Sequence, residues 1–279
     1  MIADEHGGGE SSEENIVGEI RAKANGVIAG TSVVDRLVVQ HFPDCTVTWN
    51  VTEGEGVQSG EQVLKISGPA VQVLRCERIM LNILGRMSGI ATNTAAWVSQ
   101  AGDLGVACTR KTDWGLLDKW SVHVGGGLTH RLSRADALMI KENDLVALAP
   151  GIDEEDVAVA TAVSLIDMDS DAEFTVIEVR DSSQAVAAVK AWDSLQIERS
   201  GCEKIVLLLD NMGPSGCAEV HHILMQENLR AWCVLEGSGG VVHEDLGLWI
   251  ESGVDLVSTS ALNRGVSPLD LSMKIVGGD

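Results

Sequence analysis

Positive charge is scarce in this chain: 20 Lys and Arg stand against 41 Asp and Glu, giving a formal net charge of −21 over 279 residues. A surface of that sign repels nucleic acid and anionic membranes, so neither is expected as a partner, and the acidity reads as solubility, as in a salty cytoplasm. No apolar run approaches the roughly 20 residues that a spanning helix needs. The stretch from Met1 to Glu14 is acidic and rich in Gly and Ser. It lacks the basic start and apolar core of a secretion signal, which makes the cytoplasm the expected location. Cysteine is sparse too. Cys45, Cys76, Cys108, Cys202, Cys217 and Cys233 form no C-x-x-C pair and no Cys/His group at ligand spacing, which argues against a structural zinc site. Cys108 and Cys233 lie inside apolar runs and are expected as buried, reduced core residues. No Ser/His/Asp arrangement and no dinucleotide fingerprint stands out.

What remains is an ordinary globular composition, 45% hydrophobic, enough to bury a sizeable core. Apolar/polar alternation from Val17 to Ile28 predicts a strand, and Thr31 is placed to N-cap a helix running to about His41. Two further strands, Thr46–Val51 and Gln62–Ile66, flank a Gly-rich turn between Glu53 and Gly60. That hairpin resembles those of lipoyl and biotinyl domains but offers no lysine at its turn, so it reads as structural. Ala70 to about Ala101 is predicted helical, with an interruption near Ser88-Gly89.

Beyond Gly105 the pattern changes. Short apolar runs recur at Val106–Cys108, Ala137–Ile140, Phe174–Val179, Lys204–Leu209, Ala231–Leu235 and Val254–Val257. Most are separated by room for one helix, as at Ser183–Trp192, Pro214–Glu227 and Glu244–Ser252. Buried strands alternating with helices predict parallel β/α units, and six of them without a dinucleotide motif favour a barrel over an open sheet. The expected fold is α/β: an N-terminal α/β sandwich-like domain over residues 1–105, joined by 261–279 at the other end, and an incomplete parallel β/α barrel over 106–260. That barrel is TIM-barrel-like, with six or seven strands.

Polar residues follow each of these runs, where such barrels keep their active sites. They are Thr109-Arg110-Lys111-Thr112, Lys141 to Asp144, Glu178 with Arg180, Asp210-Asn211, Glu236 to Gly240, and Ser258-Thr259-Ser260. Six of the 20 Lys and Arg fall between Arg110 and Lys141, where even spreading would put about two. His123 and His130 share the window. A chain this acidic that gathers cations at one rim is built to take up a small anion, with Arg110, Lys111, His130, Arg131 and Lys141 the candidates. The loop Gly237-Ser238-Gly239-Gly240 lies between a strand and a helix, where glycine backbone approaches phosphate oxygens. With Ser258, Thr259 and Ser260 on the last strand it fits the phosphate site that barrels build after their final strands. Gly125-Gly126-Gly127, before His130-Arg131, reads as a flexible loop able to carry those side chains over a ligand. Asp210 and Glu178 are candidates for holding sugar hydroxyls or a divalent metal.

In order and spacing these segments resemble the quinolinate phosphoribosyltransferase family along almost the whole chain. Asp4 to Ser12 looks like a worn form of the family's early E-D-x-G-x-G-D-x-T-T segment. Glu77-Arg78 with Asn82, and Ser88 to Thr92, match its central helix. Thr109 to Thr112, Gly125 to Gly127 with His130-Arg131, Ile140-Lys141 with Asn143, Leu209 to Met212, Glu236 with Ser238 to Gly240, and Ala261-Leu262 with Leu269-Asp270 match its barrel. The resemblance implies transfer of phosphoribosyl from phosphoribosyl pyrophosphate to quinolinate, giving nicotinate mononucleotide, pyrophosphate and CO₂ with Mg²⁺. It also implies a homodimer with shared sites. On that basis Arg110, His130, Arg131 and Lys141 bind quinolinate, helped by Arg78 of the partner subunit. Lys111 faces the pyrophosphate, and Ser238, Gly239, Gly240, Thr259 and Ser260 hold the 5-phosphate. Lys111, Lys141, Glu178 and Asp210 form the catalytic set, Asp210 and Glu178 being also the metal candidates.

The chain departs from the family in four places. Ile177-Glu178-Val179-Arg180 replaces V-E-V-E, putting an arginine where the second acid belongs. The stretch Asp113 to Lys119 is short and lacks an arginine. Lys141-Glu142-Asn143-Asp144 replaces K-D-N-H, and the leading helix is largely missing. Two other functions therefore stay open at this point: a related phosphoribosyltransferase with another acceptor such as nicotinate, and a non-catalytic ligand-binding descendant.

Overall fold

Strand and helix follow from the pattern of burial along the chain. The structure, a computed structural model, describes residues 14–133, 136–167 and 174–278. The motif proposed over Asp4 to Ser12, and Arg134 of the cationic window, lie outside these residues. In chain order the elements begin with β1 (Asn15–Ala22), β2 (Gly26–Val27), α1 (Thr31–His41), β3 (Thr46–Trp49), β4 (Gly56–Val57), β5 (Gln62–Pro69) and α2 (Ala70–Ala101). They continue with β6 (Gly105–Cys108), α3 (Leu116–Val124), β7 (Ala137–Ile140), α4 (Glu142–Leu148), α5 (Glu155–Ser164), β8 (Phe174–Val179) and α6 (Ser182–Arg199). Last come β9 (Ile205–Asp210), α7 (Gly213–Gln226), β10 (Cys233–Ser238), α8 (Leu246–Glu251), β11 (Leu256–Thr259) and β12 (Leu271–Gly278).

The chain divides into two compact units. One comprises residues 1–96, 117–126 and 265–279; the other comprises 97–116 and 127–264. In the first unit β12, β1, β5 and β3 form an antiparallel sheet in that order. Its inward residues Ile20, Ala22, Leu64 and Ile66 are fully buried together with Val34, Met80 and Leu84 from α1 and α2. Each of the larger of these side chains contributes about 1.5–3 kcal/mol by leaving water.

Two local expectations are corrected here. Thr31 is not the N-cap of α1. Gly30 is, at a φ of 99°, with no cap from its own side chain. The free N–H groups are instead met across the chain by the Glu53 carboxylate, which accepts from Gly30 N at 2.9 Å, Thr31 N at 2.8 Å and Thr31 Oγ1 at 2.6 Å. Nor is α2 interrupted at Ser88-Gly89. Ser88 Oγ bridges the backbone of Ala29, and a Cβ on Gly89 would lie 2.3 Å from the carbonyl of Ser267. The glycine serves a close approach of two backbones, not a break.

The second unit holds six parallel strands ordered β6-β11-β10-β9-β8-β7. From β7 to β11 strands consecutive in the chain are neighbours, and β6, the first of the six, pairs with β11, the last. That is the cyclic order of a barrel with one opening, between β6 and β7. A doubly wound sheet would reverse order midway. The strands number six among the described residues. The fifth starts two residues later than its apolar run suggested, because Arg230–Trp232 makes a short 3₁₀ turn before β10. Its apolar pattern is masked at Gly237, where a Cβ would sit 2.4 Å from the Trp249 ring. Cys108 and Cys233 are both buried, and burial pushes the Cys233 thiol up to about 11.

Candidate active site

The C-terminal ends of all six parallel strands open on one cavity of about 920 Å³. From β6 and its continuation come Thr109, Arg110 and Lys111; from the ends of β7 and β8 come Lys141 and Glu178. Asp210 and Asn211 follow from β9, Glu236 and Ser238 to Gly240 from β10, and Ser258 to Ala261 from β11. His130 and Arg131 complete the wall. Every residue named from the sequence as a candidate is thus in this cavity except Arg78, which stands exposed on α2 in the other unit.

The cavity is locally cationic in a strongly acidic chain. Arg110, Lys111, Arg131, Lys141 and Arg264 face Glu178, Asp210 and Glu236. Two of the three carboxylates are held by basic side chains: Glu178 pairs with Lys141, and Glu236, almost wholly buried, accepts from His130 Nε2 at 2.9 Å. The backbone N–H of Arg131 donates to His130 Nδ1 at 2.8 Å. That bond uses Nδ1 as an acceptor and leaves Nε2 to carry the proton toward Glu236. His130, held at a φ of 52°, is therefore a fixed hydrogen-bonding element at the wall, where the sequence had counted it with the cations. Arg131, also buried, donates to the carbonyl of Ala137 at 3.3 Å.

Lys141 ends β7 and starts α4. Its N–H donates to Asp144 Oδ2 at 2.9 Å, while Asp144 N donates back to the Lys141 carbonyl at 2.8 Å. Asp144, one of the departures from the family pattern, thus fixes the backbone from which Lys141 projects. Lys111 is anchored through its backbone as well: Asn263 Nδ2 donates to its carbonyl at 3.0 Å. Ser238 Oγ and Asn211 Nδ2 donate to opposite oxygens of Asp210, at 2.8 and 2.7 Å. Gly239 and Gly240 follow at φ values of 87° and 65°, in the region that favours glycine, and a Cβ at 239 would lie 2.2 Å from Asn211 Oδ1. Such a turn leaves bare backbone facing the cavity, as phosphate sites require.

Arg264 was not singled out from the sequence, and Glu236 was noted there as a polar strand end and part of the family pattern but given no role in the site. Arg264 sits five residues past the end of β11, and its pairing with Asp113 is long, 3.9 Å between exposed groups. A cation in the turn just after Ser258-Thr259-Ser260 was the available signal. Glu236 was visible as a charge at the end of an apolar run, but its burial against His130 comes from residues 106 positions apart. Gly125 carries a further correction. A Cβ there would lie 2.5 Å from the carbonyl of Ala91, so this glycine is present for packing against α2 and not for freedom of the loop.

For a divalent metal the donors are two oxygen-bearing groups, Asp210 and Glu178. No cluster of three or more His, Cys, Asp or Glu suited to a metal occurs among the described residues. Mg²⁺ needs only one or two carboxylates when phosphate oxygens supply the rest, and each Asp210 oxygen retains a lone pair beyond the bond it accepts. The residues fit such an ion.

A parallel β/α half-barrel with cations and a glycine turn at its strand ends defines an enzyme-like site for a phosphorylated, multiply anionic substrate. Residues 90–274 match the family model for the C-terminal domain of quinolinate phosphoribosyl transferase, and residues 10–88 match that for its N-terminal domain. The chain belongs to the quinolinate phosphoribosyl transferase family. It is 32% identical to a probable carboxylating nicotinate-nucleotide pyrophosphorylase of Methanothermobacter thermautotrophicus, over 94% of this chain and 89% of that protein. It is 33% identical to the chloroplastic carboxylating nicotinate-nucleotide pyrophosphorylase of Oryza sativa subsp. japonica, over 91% and 68%. The crystal structure of NadC from Streptococcus pyogenes superposes with a TM-score of 0.76 at 30% identity, covering 95% of this chain and 87% of that one.

Proposed function

We propose that this chain is a decarboxylating quinolinate phosphoribosyltransferase, acting in the de novo synthesis of NAD. The observation that carries the reading is the cavity at the six strand ends, where five cations and a glycine turn face each other in a chain of net charge −21. Quinolinate carries two carboxylates and phosphoribosyl pyrophosphate carries three phosphates, so both substrates need this density of positive charge.

In the reaction the bond from ribose C1 to the pyrophosphate oxygen breaks, and the pyridine nitrogen forms the new bond to C1. The bond between the ring and its 2-carboxylate then breaks, leaving its electron pair on the ring carbon for a proton while CO₂ departs. Arg110, Arg131 and Lys141 orient the dianion, and His130, held by Glu236, lines the same wall. Lys111 and Arg264 are placed to receive the charge that develops on the leaving pyrophosphate. Ser238 to Gly240, with Thr259 and Ser260, take the 5-phosphate. Asp210 and Glu178 orient the ribose hydroxyls and would hold Mg²⁺, which when bound neutralises pyrophosphate charge. This is catalysis by preorganised electrostatics, without a covalent intermediate on the protein. Arg78, exposed and on the other unit, is assigned to the site of a second copy, so the working form is a homodimer in the cytoplasm.

The test is a product assay with phosphoribosyl pyrophosphate and Mg²⁺, offering quinolinate and nicotinate in parallel at low and high salt. Nicotinate mononucleotide from quinolinate alone, abolished by a chelator, is expected. Product from nicotinate alone would overturn the acceptor, and a fully active verified monomer would overturn the shared site.

A further inference from the structure

Thr259 lines the cavity at the end of β11, yet its hydroxyl is spent inside the fold. The residue is buried, and its Oγ1 donates to the carbonyl of Val241 at 3.0 Å while accepting from Ala261 N at 3.1 Å. A hydroxyl has one proton, and this one is committed to Val241, so the side chain has no donor to offer a phosphate. Val241 is the residue directly after Gly239-Gly240. The other end of that turn is fixed as well, because the carbonyl of Ser238 accepts from Asn211 N at 3.0 Å. The two glycines are thus held between two bonded carbonyls, one tied to the end of β9 and the other to the end of β11.

What the Val241 bond does follows from the backbone that it restrains. Glycine loses more freedom on ordering than any other residue, so a turn with two of them spreads over many conformations unless its ends are pinned. Fixing the ends narrows that spread before a ligand arrives, which is preorganisation of the N–H groups that would meet an anion. The link from Thr259 to the arm carrying Lys111 is of another kind. Thr109 N donates to the Thr259 carbonyl at 3.4 Å, and Thr109 Oγ1 accepts from Lys111 N at 3.2 Å. That link uses the Thr259 backbone, which a change of side chain leaves in place. Loss of the hydroxyl therefore reaches the glycine turn and spares the Lys111 arm.

We infer that the Thr259 side chain is a positioning group for the 5-phosphate end of the substrate: its hydroxyl pins the glycine turn by way of Val241 and donates nothing to the phosphate itself. Only the backbone of Thr259 is left to face that phosphate. The inference rests on the transferase reading above for what the turn binds.

The experiment compares wild type with Thr259→Val, which loses the hydroxyl, and Thr259→Ser, which keeps it. Each is titrated calorimetrically, well below its unfolding midpoint, with ribose 5-phosphate and separately with pyrophosphate and Mg²⁺. Amide exchange of residues 239–242 is followed in the absence of ligand. Because the buried Val241 carbonyl loses its bond, Thr259→Val is expected to bind ribose 5-phosphate about five- to ten-fold more weakly. Pyrophosphate affinity should not change, Thr259→Ser should stay close to wild type, and the turn should exchange faster in Thr259→Val alone. Unchanged binding of ribose 5-phosphate by Thr259→Val, or an equal loss for both ligands, would overturn the inference. So would weaker binding with exchange of the turn unaltered, the mark of a hydroxyl that touches the phosphate directly. If wild type binds no ribose 5-phosphate, the phosphate site falls and the inference with it. If it binds ribose 5-phosphate but turns over no quinolinate, the transferase reading fails while the binding and exchange series still decide the role of Thr259.

Discussion

Two groups of carboxylates in this molecule do opposite jobs. In the antiparallel unit, Glu53 is surrounded by fixed donors: the N–H groups of Gly30 and Thr31, the Thr31 hydroxyl, and Trp120 Nε1 at 2.8 Å. Partial burial alone would raise its pKa, but these bonds outweigh it and hold the carboxyl below its ordinary value. In the half-barrel, Glu178 and Glu236 are held by Lys141 and His130, and Asp210 by Ser238 and Asn211, all around open space. A carboxylate saturated largely by backbone fastens the fold. One paired with side chains at the edge of a cavity can exchange those partners for a ligand.

The comparison is broken most forcefully at Lys141. Lys141→Met removes a half-exposed cation from the cavity wall. It is expected to lower kcat/KM by roughly 100-fold or more while leaving the unfolding midpoint nearly unchanged. A protein that unfolds instead would place Lys141 with the structural charges. Glu53→Gln should behave the other way, costing about 1 kcal/mol, or roughly 2–4 °C in the midpoint, with kcat unaltered. Its pH dependence sharpens the point. Because the folded pKa lies below the ordinary 4.5, the contribution of Glu53 is complete above that value and fades as pH falls through the lowered one. Melts of wild type and Glu53→Gln should therefore converge in acid, and parallel curves down to pH 3 would contradict the assignment. The smallest effect is expected at Arg264, whose pairing with Asp113 is long and exposed. Arg264→Gln should lower kcat/KM for phosphoribosyl pyrophosphate by about three-fold, with kcat sharing in the loss, and leave quinolinate affinity unchanged.

Most of the half-barrel is legible in the sequence, because buried parallel strands are short apolar runs and their polar ends announce themselves one by one. Arg110, Lys111, Lys141, Asp210 and Gly239 could be picked out on that ground, and the cavity does bring them together. What escaped was long-range pairing. Glu53 caps a helix that starts 22 residues earlier, Glu236 finds His130 across 106 residues, and Arg180 turns toward Glu142 on the neighbouring strand end. None of these follows from local spacing. Glycine misled in the same way: Ser88-Gly89 and Gly125 read as breaks or flexibility, yet both glycines sit where another backbone comes too close for a Cβ. A glycine's local freedom and its lack of bulk look identical in a sequence.

The most direct measurement uses quinolinate labelled in its 2-carboxylate, incubated with the purified protein, phosphoribosyl pyrophosphate and Mg²⁺. Labelled CO₂ and pyrophosphate are expected in equal amounts, each dependent on the other substrate and both lost in Lys141→Met. Pyrophosphate without CO₂, or quinolinate bound and never decarboxylated, would contradict the assignment of this cavity as the site of decarboxylating phosphoribosyl transfer.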